Sequence, residues 1–294
     1  MEQTSLSEYL APLRVDVDDA EKDRIIADAT QNLSDGTAHI IGFSGKKGSG
    51  KDTVAQYFIR RLGEEGRVAK QTPTAMGIKN EAQAMFDLIY GWIDDSARFD
   101  NQTSIAQSHH RGNAQEERER AWNEFEKSFT SRFDISHWHF EHILSLVYPL
   151  LTKDKTITGM SRNNEVIALL QYLGKDVRQP QDALYWCRQM LWRIALNAAN
   201  GGTSLVTDVR YLHDAESILN TGGYLIRLDV APEEQAKRLM GRDGVTVPEE
   251  TLNHISETAL DDFPDFNLRI DTNVGGSDYT CDTAYTSWKE SRNV

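Results

Sequence analysis

His39-Ile40-Ile41-Gly42-Phe43 is an apolar run, Ser44 follows it, and the chain then reads Gly45-Lys46-Lys47-Gly48-Ser49-Gly50-Lys51-Asp52-Thr53. Next comes Val54-Ala55-Gln56-Tyr57-Phe58-Ile59, a segment suited to a helix. Strand, glycine-rich turn and helix, in that order, are the setting that a phosphate-binding loop requires. The glycines let backbone N–H groups turn inward around phosphate oxygens. A helix beginning near Lys51 aims the positive end of its dipole at the same place. Lys51 adds a full charge for the β- and γ-phosphates of a nucleotide. Gly45, Lys46, Gly48, Ser49, Gly50, Lys51, Asp52 and Thr53 are therefore the candidate nucleotide-binding residues, with a nucleotide's phosphates and Mg²⁺ as the expected ligands.

One departure narrows the reading. The common pattern places Ser or Thr directly after the lysine, as a magnesium ligand. Here that position is Asp52, and the hydroxyl comes one place later, at Thr53, the candidate metal ligand of this loop. Kinases of the nucleoside monophosphate type resemble this arrangement, whereas GTPases and motor ATPases mostly do not. The departure points to phosphoryl transfer onto a small acceptor rather than to a switch.

Working outward, Arg67–Gln71 reads as a second strand and Met76–Tyr90 as a helix with Ile78, Ala82, Met85, Phe86 and Ile89 at helical spacing. Residues 91–160 are rich in charge, aromatics and histidine and break the strand–helix rhythm. They are expected to form an inserted acceptor-binding lobe, assigned to 91–162, with disorder around 94–112. The rhythm returns with helices over Glu165–Leu173 and Asp182–Ala199. Strand Ser204–Thr207 comes next, then helix His213–Asn220, strand Tyr224–Leu228, a helix from Pro232 to Met240, strand Leu268–Ile270 and a C-terminal helix. Strands alternating with helices imply an α/β domain, its mostly parallel sheet covered on both faces. The core is thus assigned to 39–90 and 163–294. Residues 1–38 read as a helical extension, best explained as a surface helix docked on the core.

Composition limits the alternatives. The 294 residues carry a formal charge of −13, which disfavours nucleic acid and anionic membrane as partners. Two cysteines without a CxxC pair, Cys187 and Cys281, suit a reducing compartment and no zinc knuckle. No basic-then-apolar leader follows Met1, and no apolar run approaches the ~20 residues that span a bilayer. A cytoplasmic protein is expected, and a homodimer is allowed.

Two further groups suit phosphate chemistry. Strand Ser204–Thr207 ends in Asp208-Val209-Arg210. Ligands of parallel sheets bind beyond the carboxyl ends of the strands. Asp208 is a candidate magnesium ligand there and Arg210 a candidate grip on an acceptor phosphate. Lys237-Arg238-Leu239-Met240-Gly241-Arg242-Asp243-Gly244 places Arg238 and Arg242 four apart on a helix end, with Gly241 and Gly244 suited to a hinged lid.

Phe43 to Asp52 resembles the loop shared by phage deoxynucleoside monophosphate kinases and animal-type phosphomevalonate kinases, which carry Gly-Lys-Asp at this point. Thr207-Asp208-Val209-Arg210-Tyr211, running on to Glu216 and Gly222-Gly223, is similar to a D-V-R-F…E…G-G stretch of that group. His254-Ile255-Ser256-Glu257 with Leu260-Asp261-Asp262-Phe263 and Phe266-Asn267 resembles its C-terminal signature. Leu170-Gln171-Tyr172-Leu173-Gly174-Lys175-Asp176 with Tyr185-Trp186 looks like a region of the phage enzymes and favours the deoxynucleotide branch. The resemblance covers roughly 39–90 and 163–272. It implies a three-layer P-loop kinase fold with Mg·ATP as donor. It implies that Lys51 and the loop amides bind ATP, Asp208 helps position Mg²⁺, Arg210 contacts the acceptor phosphate and Arg242 sits in a lid.

The function expected from all this is ATP-dependent phosphorylation of a (deoxy)nucleoside monophosphate to the diphosphate. Phosphomevalonate, or a hydroxymethylated base in phage DNA, is the alternative acceptor, and a non-catalytic nucleotide-binding protein is the alternative of another class. His137, His139 and His142 lie within six residues, but no two are four apart, so a surface or lobe role is expected rather than a metal site. Trp138, Phe140 and Tyr148 are expected to build the lobe's own core sooner than to stack on a base.

Overall fold

The computed structural model of the chain describes residues 4–106, 113–151, 164–243 and 255–292. In chain order its elements are α1 (Leu6–Leu10), α2 (Asp19–Ser34), β1 (Ile40–Ser44), α3 (Lys51–Glu64), β2 (Ala69–Gln71), α4 (Ala75–Ala106), α5 (Asn113–Phe133) and α6 (His137–Val147). Then come α7 (Asn164–Tyr172), α8 (Gln179–Gln181), α9 (Tyr185–Ala198), β3 (Thr203–Val209), α10 (Leu212–Asn220), β4 (Tyr224–Asp229) and α11 (Pro232–Asp243). The last three are α12 (Ile255–Thr258), β5 (Leu268–Asp271) and α13 (Gly276–Arg292). They form two compact units, one of Met1–Met76 with Leu184–Val294 and one of Gly77–Ala183.

The first unit is an α/β layer structure. Its five strands are all parallel and lie in the order β2-β3-β1-β4-β5, with β1 in the middle. Alternation along β1 assigns the faces, as a pleat of period two demands. Ile41 and Phe43 pack with Val54, Phe58 and Leu62 of α3 and with Ala284, Tyr285 and Trp288 of α13. Ile40 packs on the opposite face with α1, α2, α9 and α10, through residues such as Leu10, Ile26, Leu191 and Ile218. Both faces are covered at the middle of the sheet, where β1 is fully buried, while the edge strands β2 and β5 carry half-buried and exposed polar residues.

The N-terminal helices belong to that core. Leu10 and Ala29 are wholly buried, and Leu6, Ile25 and Ile26 nearly so. Ser5 and Glu8 form a reciprocal cap on α1, and Asp18 accepts the Glu21 amide to start α2. Over the described residues 4–38 the docked reading is thus the one observed.

The second unit is a helical bundle, wider than the insertion assigned to 91–162. The expected apolar stripe of Ala82, Met85, Phe86 and Ile89 on α4 packs with Phe129 of α5, Phe140 and Ile143 of α6, and Val166 and Leu169 of α7. Those faces need one another for burial, which draws the flanking helices α4 and α7 into the unit. Helix α4 also continues to Ala106, through a stretch expected to be disordered, and 107–112 lie outside the described residues. Arg178 is buried here. It donates to Glu81, to the Phe133 carbonyl at 2.6 Å and to Gln181 at 2.8 Å.

Candidate functional site

The loop after β1 has the conformation its glycines allow. Gly45, Gly48 and Gly50 take φ of 146°, 84° and 96°. At Gly45 a Cβ would lie 2.4 Å from the Leu228 carbonyl oxygen and 2.6 Å from Ser49 Oγ, so only glycine fits. The Ser49 amide donates back to the Lys46 carbonyl at 3.0 Å, closing the turn. Gly50 is the left-handed N-cap of α3, and Lys51 is that helix's first residue. Lys51 folds over the loop and donates from Nζ to the Gly45 and Lys46 carbonyls at 2.5 and 3.1 Å. Burial, helped by the positive charge of Arg210, lowers its pKa to about 8.

Side chains from elsewhere in the first unit brace the loop. Gln235 of α11 is buried and donates to the Lys47 carbonyl at 2.9 Å. Arg238 donates to Gly48 O at 3.4 Å, to the Thr272 carbonyl at 2.7 Å and to Glu234 at 3.0 Å. Arg227, buried on β4, donates to Ser44 Oγ at 3.1 Å and pairs with Asp229 and Asp261. Lys46 Nζ lies 3.3 Å from Asp261. Arg227 and Gln235 do not stand out in the sequence reading. Gln235 left one signal: it sits four residues before buried Leu239, a polar group on an apolar helix face.

A cleft of about 570 Å³ opens beside the loop. Asp52, Thr53, Arg238, Arg242 and Thr272 are among its lining residues. Of the expected nucleotide residues, Gly48 to Thr53 and Arg238 line this cleft, and the expected lid residue Arg242 lines it with them. Ser49 Oγ is buried inside the loop without a protein partner. An anion there would find the N-terminus of α3 and the Lys51 ammonium group. Asp52 and Thr53 supply the hard oxygen donors that Mg²⁺ prefers. Gly244 and His254 lie outside the described residues.

The end of β3 brings a contact that the sequence reading did not foresee, at Asp208. Between Gly42 and Ser44 of β1 the pairing moves from Val206 to Val209, so β3 carries an extra residue there. A bulge of this kind re-aims side chains at a strand end. Asp208 accepts the Thr74 amide at 2.7 Å and the Ala75 amide at 2.8 Å, one on each oxygen. Pro73 precedes these two amides, which open a helix and have no helical acceptor, and Asp208 supplies one. Both Asp208 oxygens are thus engaged in capping the segment that opens α4. Arg210 turns elsewhere, donating to Glu257 Oε1 of α12 at 2.7 Å. Asp214 accepts the Arg210 and Tyr211 amides at 3.3 and 3.2 Å, and burial raises its pKa to about 6.

In the second unit the histidines part company. His137 pairs with Glu126, His139 Nδ1 lies 2.8 Å from the Tyr172 hydroxyl, and His142 stacks with Trp138. Glu126, His137 and Glu141 bring ligand atoms within 4.8 Å of one another at the surface. Phe140 is core as expected, but Trp138 and Tyr148 are exposed, at 64% and 68%. Set against models of known protein families and against curated proteins, the chain finds no match in either.

Proposed function

We propose that this protein is an Mg·ATP-dependent phosphotransferase that phosphorylates a (deoxy)nucleoside monophosphate to the diphosphate. The observation that carries the reading is half-buried Lys51, set at the head of α3 inside a loop of left-handed glycines, at the carboxyl end of the central strand. A topological switch point of a parallel sheet is where such ligands bind. The resemblance of Phe43–Asp52 and Thr207–Tyr211 to phage deoxynucleoside monophosphate kinases supports the choice of reaction.

On this reading the loop amides and Lys51 hold the β- and γ-phosphates. Asp52 and Thr53 are the residues to hold Mg²⁺, and Arg238 and Arg242 face the nucleotide along the cleft. ATP supplies the phosphoryl group. Arg210, freed from Glu257, grips the acceptor's phosphate bidentately. In-line transfer between phosphates needs positioning and charge neutralisation more than a protein base.

Steady-state ADP release tests the assignment of roles. Lys51→Ala should lower turnover by roughly 10²-fold or more with the fold intact. Arg210→Ala should raise the acceptor's KM far more than that of ATP. Near-normal turnover in the first variant removes the loop from the site, and an unchanged acceptor KM in the second removes Arg210.

A further inference from the structure

The Lys47 amide, in the middle of the glycine loop, is already occupied. Its hydrogen goes to Glu257 Oε2 at 2.6 Å. The other oxygen of the same carboxylate accepts Arg210 Nη1 at 2.7 Å. The Glu257 side chain is only 8% exposed. A carboxylate 210 residues away in sequence thus makes two contacts that a phosphate oxygen would seek here: a loop amide and a guanidinium.

A phosphate and a carboxylate cannot share the same few donors, because two anions in contact inside a partly buried site repel strongly. A polyphosphate has more charge and more acceptor oxygens than a carboxylate, so it wins the loop when present in sufficient amount. Removing Glu257 from Lys47 also takes its second oxygen from Arg210, since both bonds belong to one rigid group. Resting on the phosphate-binding reading of the loop, we propose that Glu257 is the chain's own competitor for phosphate. It lowers the loop's affinity for anions, and its displacement releases Arg210 to the incoming ligand.

The opposite role makes the opposite prediction. Were Glu257 only a brace for Arg210 and the loop, its loss would weaken phosphate binding. Calorimetric titration of inorganic tripolyphosphate into the full chain separates the two. Glu257→Gln and Glu257→Ala should each bind about tenfold more tightly than wild type. Unchanged or weaker binding in both overturns the proposal.

Hydrogen exchange on the unaltered protein gives a second reading that depends on no variant. Tripolyphosphate should slow exchange over 45–51 and speed it over 255–260. Slower exchange in both segments overturns the proposal. Lys51→Ala keeps the two failures apart. If wild type binds no tripolyphosphate, or the variant binds it equally well, the loop reading itself falls. If Lys51→Ala loses binding while the Glu257 variants do not tighten it, only the competitor role falls.

Discussion

Lys51 concentrates the conflict between stability and use. Its ammonium is drawn out of water beside Arg210, and its pKa falls from 10.5 to about 8. The lowered value means that the unfolded chain holds this proton more tightly than the folded one. Below about pH 8 the fold carries the burial penalty in full, and between about 8 and 10.5 stability rises with pH as the folded lysine discharges first. Lys51→Met should therefore stabilise the ligand-free protein at pH 7 by about 1 kcal/mol, since the lost bonds to Gly45 and Lys46 offset part of the gain. It should also flatten the rise of Tm between pH 8 and 10. A lower Tm at pH 7, measured by calorimetry, would contradict this account. Sites that hold uncompensated charge for a ligand commonly show such a trade.

The elements divide by how local their causes are. Strand β1, the loop and α3 were legible because the apolar run, the glycines and the helix signal lie within one stretch of sequence. The stripe on α4 was legible from its spacing. What could not be read were causes distant in sequence. The bulge in β3 arises from pairing with β1, and beside it Asp208 caps the segment that opens α4. Glu257 reaches the loop across 210 residues, and Gln235 across 188. The widened helical unit arises from apolar faces that have no burial alone. The N-terminal helices show how firm such a long-range cause is. Leu10 is wholly buried among α1, α2 and α9, so Leu10→Ala should cost about 3 kcal/mol in chemical denaturation. A cost below about 1 kcal/mol would place residues 1–38 outside the cooperative core.

At the scale of the molecule, an α/β unit carries the loop, the cleft and the arginines, while a helical unit of Gly77–Ala183 holds its own core and an exposed Trp138 and Tyr148. A charge of −13 surrounds a site proposed to take an anionic ligand. Attraction must then come from Lys51, Arg210, Arg238 and Arg242 at short range, because screening removes interactions beyond a Debye length of about 8 Å in physiological salt. No helix among the described residues is long and apolar enough to cross a membrane. The most direct measurement is ADP release from Mg·ATP across a panel of nucleoside and deoxynucleoside monophosphates. Phosphomevalonate and hydroxymethyluracil-containing DNA complete the panel, and Lys51→Ala serves as the control. The account predicts stimulation by one or a few monophosphates, abolished in the variant. Stimulation by none of them, with or without a response to the other two acceptors, would contradict it.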